Sequence, residues 1–151
     1  MKECGDCTLC CKLMGVYEDT PVELAKPPGV WCEHCDVGKG CKIYDNKPTA
    51  CVMFECLWLQ HQEMVEELKP NRSHVVMFEL PEEVRKADVL TFRDAKTGVT
   101  VPKADVVVME DPNYYRLGES QKNKWVGAVI QTLRRNGFKV AITNKFDSML
   151  A

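Results

Sequence analysis

The feature that most constrains this chain is the crowding of cysteine near its beginning. The sequence opens MKECGDCTLCC, which places four cysteines within eight residues. All nine cysteines precede residue 57. A reduced thiol packs like a small apolar side chain, so a general preference for buried cysteine would scatter these residues along the chain. Their concentration instead predicts a shared chemical site, formed by Cys4, Cys7, Cys10, Cys11, Cys32, Cys35, Cys41, Cys51 and Cys56.

The cysteine count and the start of the chain favour bound metal over disulfides. Nine is an odd number, whereas a disulfide framework normally uses an even one. Cysteines from position 4 to 11 occupy the place where a secretory signal would carry its apolar segment, and no apolar run is long enough to span a membrane. We therefore expect a cytoplasmic protein, in which thiols stay reduced and dense cysteine patterns bind metal.

The spacing within the cluster bears on which metal is bound. The run C-x2-C-x2-C at Cys4, Cys7 and Cys10 is typical of chains that wrap a [4Fe–4S] cluster. The pair Cys32 and Cys35 has the two-residue spacing of zinc knuckles, whose tight turns aim both sulfurs at one ion. Because histidine ligands are also scarce, the sequence favours an iron–sulfur cluster slightly over structural Zn²⁺.

Individual cysteines have weaker assignments than the cluster as a whole. Cys10 and Cys11 are adjacent, so in an extended chain their sulfurs point apart and one of them serves another site or none. Cys51 and Cys56 lie about 140° apart around a regular helix, so both reach one site only if the helix begins after Cys51. Cys56 is either a ligand or a core residue.

The segment WCEHC at 31–35 resembles a thioredoxin-type dithiol site. In that class the first cysteine begins a long helix, which lowers the thiol pKa. Here two prolines and a glycine precede the segment and DVGKG follows it, so we predict a loop and not a redox-active dithiol. We expect His34 to point outward, and His61 and His74 to be surface or packing residues.

The chain divides into two parts by composition. Residues 1–70 are predicted to form a cysteine-rich, loop-dominated metal-binding region that ends in a helix over 49–69, with Val52, Cys56 and Leu59 on one face and Pro70 as its stop. Residues 71–151 are predicted to form a small α+β half within the same compact domain. The expected fold class is α+β, with the metal-bound lobe packed on a small sheet with one or two helices.

Short β-branched and aromatic runs predict the strands of the second half. They are HVVMFEL at 74–80, VLTFR at 89–93, GVTVP at 98–102, DVVVMED at 105–111 and FKVAIT at 138–143. A hairpin loop is expected at 94–98. A helix is expected over 118–137, with Trp125, Val129, Thr132 and Leu133 on its apolar face, and the strand, helix and strand from 105 to 143 predict a crossover between parallel strands.

Charge argues against one class of partner. The chain carries 20 Lys and Arg against 22 Asp and Glu, without a basic stripe, so we expect no nucleic-acid binding and, without a spanning segment, no membrane insertion. The half at 71–151 either covers the metal region or binds a protein partner. Its loop at 111–116 is expected to be a turn into the helix, although exposed tyrosines there would suit recognition.

The cysteine-rich segments CGDCTLCC, GVWCEHC, GCKIYDNKPTAC and FECLWL resemble the CxxCxxCC cysteine-cluster family (YkgJ-like) of zinc- or iron-chelating domains. The resemblance covers about the first sixty residues and includes Ile43 and Tyr44, Pro48 and Phe54; Lys47 stands where the family usually has arginine. It implies that the nine cysteines are the chelating positions. We expect Tyr44 to pack over the metal loop and Pro48 to stiffen the entry to a helix near Thr49.

Three classes of function remain open at this level. The first is a metal-binding accessory, sensor or carrier module that holds an iron–sulfur cluster or Zn²⁺. The second is a redox or modifying enzyme that depends on the cluster. The third is a protein-interaction domain in which zinc is purely structural.

Overall fold

The computed structural model describes residues 2–16, 26–47, 49–52, 54–87, 91–93 and 100–151. The predicted hairpin loop at 94–98 and the predicted role of Pro48 lie outside these residues.

The helices and strands, in chain order, are α1 (Leu9–Leu13), β1 (Cys35–Asp36), β2 (Gly40–Cys41), α2 (Thr49–Val52), α3 (Leu57–Gln60), α4 (Pro70–Ser73), β3 (Val75–Glu79), α5 (Glu82–Lys86), β4 (Thr91–Arg93), β5 (Thr100–Pro102), β6 (Val106–Glu110), α6 (Lys124–Arg135), β7 (Val140–Thr143) and β8 (Ser148–Leu150). Short 3-10 turns lie at Tyr44–Asn46, Glu66–Leu68 and Glu119–Lys122.

A four-stranded sheet in the order β3-β6-β7-β8 forms the centre of the molecule. Strands β3 and β6 are antiparallel, with Val75 opposite Glu110, and β7 pairs antiparallel with β8. Strands β6 and β7 are parallel, with Val106 opposite Val140, and α6 connects them. The α+β class and the predicted crossover are therefore confirmed. Strands β4 and β5 form a separate antiparallel pair.

The central strands are buried on both faces, which explains their nearly continuous apolar sequence. One face, formed by alternate residues such as Val76, Phe78 and Val107, packs against Leu9 and Leu13 of α1. The other face includes Met77, Val108 and Ile142 and packs against Val126 and Ile130 of α6 and against Leu57 and Trp58 of α3. The cysteine-bearing helix α1 is thus one of the layers that cover the sheet.

Helix α6 begins later than predicted. Asn123 is its N-cap, and its side-chain oxygen accepts hydrogen bonds from the N–H groups of Trp125 and Val126. Residues 119–122 form a 3-10 turn instead of the first helical turn. Val126 and Ile130 are the buried residues of the helix, with Trp125, Val129 and Leu133 partly buried beside them, whereas Thr132 is exposed and was wrongly placed on the apolar face.

The single helix predicted over 49–69 is wrong. The described residues contain α2, α3 and a 3-10 turn in its place, and Pro70 occupies the first turn of α4 instead of stopping a helix. Cys56 has an extended backbone (φ −73, ψ 157) that interrupts the helix before α3. After α3, the Lys2 ammonium donates hydrogen bonds to the carbonyls of Trp58, His61 and Met64, and so binds carbonyls at and beyond the helix end.

A buried ion pair joins the cysteine-rich segment to the sheet. The Lys12 ammonium contacts both carboxylate oxygens of Asp111, at 2.9 and 3.1 Å, and the two side chains are only 11% and 10% exposed. Lys12 belongs to α1, and Asp111 directly follows β6. The pair therefore fixes α1 at the carboxyl end of a central strand.

We expect Asp111→Ala to lower the free energy of unfolding by about 3–5 kcal/mol, because it leaves the Lys12 charge buried without a partner. The double variant Lys12→Met with Asp111→Leu should recover most of this loss, because it removes both charges together. Denaturant unfolding followed by circular dichroism measures both.

The exposed pair Glu82 and Lys86 on α5 is the matched control, since both side chains are mostly solvent-accessible. Its removal should cost no more than about 0.5 kcal/mol. An equally small cost for Asp111→Ala would contradict the structural role given to the buried pair.

Candidate metal centre

Two of the three C-x2-C segments, Cys4–Cys7 and Cys32–Cys35, form the tight turns that their spacing predicts. The N–H of Cys7 donates to the carbonyl of Cys4 at 2.8 Å, and the N–H of Cys35 donates to the carbonyl of Cys32 at 3.0 Å. Turns of this kind hold two cysteine side chains close to each other. The same local geometry therefore occurs twice, once at the start of the cysteine-rich sequence and once in its middle.

A short hairpin adds Cys41 to the second turn. Strands β1 and β2 place Cys41 directly opposite Cys35, so the two side chains lie on the same face of the pair. Gly38 in the connection and Gly40 at the start of β2 adopt positive φ values of 77° and 144°. The N–H of Cys32 also donates to the carbonyl of Cys11 at 3.0 Å, which holds this hairpin against the end of α1.

Cys10 and Cys11 lie in α1, not in an extended chain. On a helix two adjacent side chains diverge by about 100°. The side chains of Cys10 and Cys11 therefore diverge less than they would in an extended chain, where they would point in opposite directions. Cys10 packs against the core beside Leu9 and Leu13, and the Cys11 thiol forms hydrogen bonds with Cys10 and Cys35. Both cysteines therefore belong to one set of neighbouring thiols.

The electrostatic neighbours of the thiols divide the nine cysteines into two groups. Besides burial, the neighbouring thiols of Cys4 and Cys7 raise the pKa of Cys56. We call these three the amino-terminal thiol group. The Cys11 thiol forms hydrogen bonds with Cys10 and Cys35. Besides burial, the neighbouring Cys11, Cys32 and Cys41 raise the pKa of Cys51. We call these six the lobe thiol group, because most of them lie in the cysteine lobe, defined as residues 26–52. Besides burial, Cys11 is among the causes of the raised pKa of Cys4, and it connects the two groups.

Backbone N–H groups point at the sulfurs of the amino-terminal group. Those of Leu9 and Asn71 donate to Cys7, and those of Trp58 and Leu59 donate to Cys56, which is the N-cap residue of α3. Such donors stabilise a thiolate in preference to a thiol. Burial acts in the opposite direction and is the larger effect, raising the pKa of Cys7 and raising the pKa of Cys56 to about 11.

The lobe group shows stronger mutual effects. The hydrogen bond with Cys10, together with burial, raises the pKa of Cys11 far above its ordinary value. Burial and the neighbouring Cys11 raise the pKa of Cys35 to about 12, and the same two causes raise the pKa of Cys51. A metal ion bound among these thiols would lower their pKa values, because its positive charge favours the thiolate form.

Lysines lie around both groups. The Lys26 ammonium is buried and donates to the carbonyls of Lys12, Pro27 and Val30; burial lowers the pKa of Lys26, while the nearby Cys32 and Cys11 raise it. Burial raises the pKa of Cys4, whereas the charges of Lys47 and Lys69 lower it. The Lys69 ammonium is held in place by the Asp6 carboxylate at 3.1 Å. Neither Lys26 nor the Lys12–Asp111 pair was predicted from the sequence, because neither lies in a recognisable motif.

Each of the three histidine side chains has a partner other than a thiol. His34 contacts Glu33, His61 contacts Glu63, and His74 stacks on Tyr114 with ring centroids 3.6 Å apart. WCEHC lies in a loop that leads into β1, as predicted, and carries no helix. Tyr44 does not pack over the metal loop: it is 67% exposed, and only the Lys47 ammonium lies over its ring.

The donor set fits a soft metal, although it is not arranged around one point. All nine cysteines are free thiols. Among the described residues, no three Cys, His, Asp or Glu side chains are already positioned to hold one ion. Thiolates are the ligands preferred by Zn²⁺ and by iron–sulfur clusters. The residues that would hold the metal are the nine cysteines predicted from the sequence.

Comparison of the chain with protein-family models, with curated proteins and with solved structures gave no significant match. In the part of the chain that the structure describes, no helix is both long and apolar enough to cross a membrane.

In the metal-free folded protein, we expect iodoacetamide to label Cys56 slowly at pH 8, because only the thiolate reacts and its raised pKa of about 11 keeps it protonated. The rate should rise about tenfold per pH unit up to pH 10. Mass spectrometry of digested samples gives the rate at each cysteine.

The unfolded chain in denaturant is the control for this measurement. Its labelling rate should level off above the ordinary cysteine pKa of about 8.5. A folded protein whose Cys56 rate levels off at the same pH would show that the pKa is not raised.

Proposed function

We propose that this chain is a metal-binding protein whose cysteines hold an iron–sulfur cluster or Zn²⁺, and that it acts as an accessory, sensor or carrier module. We further propose that it is cytoplasmic and related to the CxxCxxCC cysteine-cluster family, whose motif residues it carries. The proposal leads to specific expectations about metal content, colour and stability.

The observation that carries the proposal is the lack of an apolar core in the cysteine lobe. Among the residues of 26–52 whose burial is described, Lys26 is the only buried one. A segment that buries so little apolar surface gains little hydrophobic stabilisation to offset the entropy of ordering its backbone. Metal coordination by its thiolates would supply the missing folding free energy, as it does in small zinc domains.

The N–H groups directed at Cys7 and Cys56 support the same proposal. Metal-bound thiolates retain negative charge and accept such hydrogen bonds. Lys26, Lys47 and Lys69 offset further charge, since four thiolates around one Zn²⁺ carry a net charge of about −2. The C-x2-C-x2-C run at the start of the chain keeps an iron–sulfur cluster slightly ahead of zinc.

A second candidate, a cluster-dependent redox or modifying enzyme, is favoured by one cavity. A cavity of about 350 Å³ is lined in part by Phe54 and Glu55, which immediately precede Cys56, and by Glu82 and Arg85 of α5. An enzyme needs a polar pocket of this kind beside its metal. The third candidate, a structural-zinc interaction domain, is favoured by exposed aromatic side chains such as Trp31, Tyr114 and Phe146.

Anaerobic purification without added metal separates these candidates. A brown protein that contains iron and acid-labile sulfide, and that bleaches with dithionite, supports an iron–sulfur cluster and keeps the enzyme candidate open. A colourless protein with stoichiometric zinc supports a structural or carrier role. A protein that contains neither metal, and binds neither on reconstitution, contradicts the proposal.

We expect Cys7→Ser and Cys35→Ser to lower metal content and the free energy of unfolding together, because each lost thiolate removes coordination that also stabilises the fold. Elemental analysis and thermal unfolding measure the two effects on the same samples. Val37→Ser is a matched control: it changes a 55% exposed side chain of the cysteine lobe to serine without removing a thiol. Full metal occupancy in both cysteine variants would refute the metal centre.

A further inference from the structure

Residues 2–7, which we call the strap, lie beside Trp58 at the start of the chain. The strap has the sequence KECGDC and contains no aliphatic or aromatic residue. Residues 3–6 are exposed, whereas Thr8 and Leu9, which follow the strap, are buried. The buried part of the chain therefore begins after the strap, and the strap itself is held by contacts other than apolar packing.

One end of the strap is fixed by the Lys2 ammonium. It donates hydrogen bonds to the carbonyls of Trp58, His61 and Met64, at 3.1, 2.5 and 2.6 Å. It also lies 4.5 Å from the centroid of the Trp58 ring, which adds a cation–π contact. The backbone N–H of Lys2 donates to the Gln62 side chain at 3.1 Å. An ammonium has three protons, so these three carbonyls satisfy it completely.

The other end of the strap is fixed by the Asp6 carboxylate. The Lys69 ammonium and the Asn71 side-chain amide donate to the same carboxylate oxygen, at 3.1 and 3.3 Å. Between the two ends, the N–H of Cys7 donates to the carbonyl of Cys4 at 2.8 Å and closes a turn. The contacts that fix the strap are therefore charged and polar ones near the surface, which open more easily than a packed core does.

Two of the candidate metal ligands, Cys4 and Cys7, lie in the strap. Among the described residues, no three Cys, His, Asp or Glu side chains are positioned to hold one ion. Binding of a metal by these two cysteines therefore requires part of the chain to move. The strap can move at low cost, because its opening breaks polar contacts and leaves Leu9 and Trp58 in the two apolar clusters.

We propose that the strap opens and closes, that the Lys2 ammonium keeps it closed, and that Cys4 and Cys7 bind a metal ion together only when it is open. The part played by the metal rests on the proposed function, whereas the opening of the strap does not. Lys2 is thus a positioning residue for the candidate metal centre. Because only the open form is competent, the closed fraction slows metal uptake in proportion.

Hydrogen exchange of the metal-free full chain, measured by NMR, tests the opening. Lys2→Met removes the ammonium and should raise the exchange rate of the Cys7 amide about fivefold or more, because charged hydrogen bonds are lost. The Cys35 amide, which closes the corresponding turn, is the internal control and should not change. Lys39→Met, which removes an ammonium from a 79% exposed side chain, is the matched variant and should change neither amide.

The amides of β6 distinguish a local opening from a general loss of stability. Their exchange should stay the same in Lys2→Met, because the strap opens without unfolding the sheet. An unchanged rate at Cys7 would overturn the inference. Equal acceleration at Cys7 and in β6 would also overturn it, because Lys2 would then stabilise the whole fold and not the strap.

Cobalt(II) uptake tests what the strap controls. The sulfur-to-cobalt absorption band reports the rate of Co²⁺ binding, and the relevant phase is the one that Cys4→Ser lacks. In Lys2→Met this phase should be faster than in the wild type by about the same factor as the Cys7 exchange rate, about fivefold or more. Equal uptake rates would overturn the inference. A wild type that does not bind Co²⁺ would instead overturn the proposed function, whereas faster exchange at Cys7 would still establish the opening of the strap.

Discussion

Helix α1 is the element on which the arrangement of this protein depends. Leu9 and Leu13 bury one side of it in the core beneath the sheet, and Lys12 is held by the buried carboxylate of Asp111. Cys10 and Cys11 are in the same short helix. The hydrophobic effect and one buried ion pair thus fix the position of two thiols, and the carbonyl of Cys11 in turn binds the hairpin that carries Cys32 and Cys35. The cysteine lobe is built outward from this anchor.

The lobe itself shows the opposite balance of forces. It contains short turns, glycines with positive φ and one buried lysine, but no apolar cluster among its described residues. Its thiols lie close enough to raise one another's pKa values, which costs free energy whenever they ionise together without a counter-charge. A metal ion removes that cost and adds coordination bonds. The same cysteines that lack a core are therefore the ones that gain most from binding metal.

The sequence predicted those parts of the molecule that depend on local pattern. The apolar runs predicted the strands β3, β6 and β7, and the strand, helix and strand from 105 to 143 predicted a parallel crossover; all are confirmed. The pattern failed where tertiary contacts decide the backbone. Cys56 takes an extended conformation that breaks the expected long helix, and β8 forms from Ser148–Leu150, whose sequence has little strand character, by pairing with β7. Spacing identified the cysteines of the candidate site, but their division into groups depends on contacts between distant segments, such as Cys56 with Cys7.

X-ray absorption at the metal edge of anaerobically purified protein tests the central claim most directly, because it counts the ligand atoms themselves. We expect a first shell dominated by sulfur at about 2.3 Å, without the outer-shell scattering that imidazole ligands produce. That result would establish the cysteines as the metal-binding residues. A first shell dominated by nitrogen or oxygen, or a protein without bound metal, would contradict this account of why the cysteines are concentrated at the start of the chain.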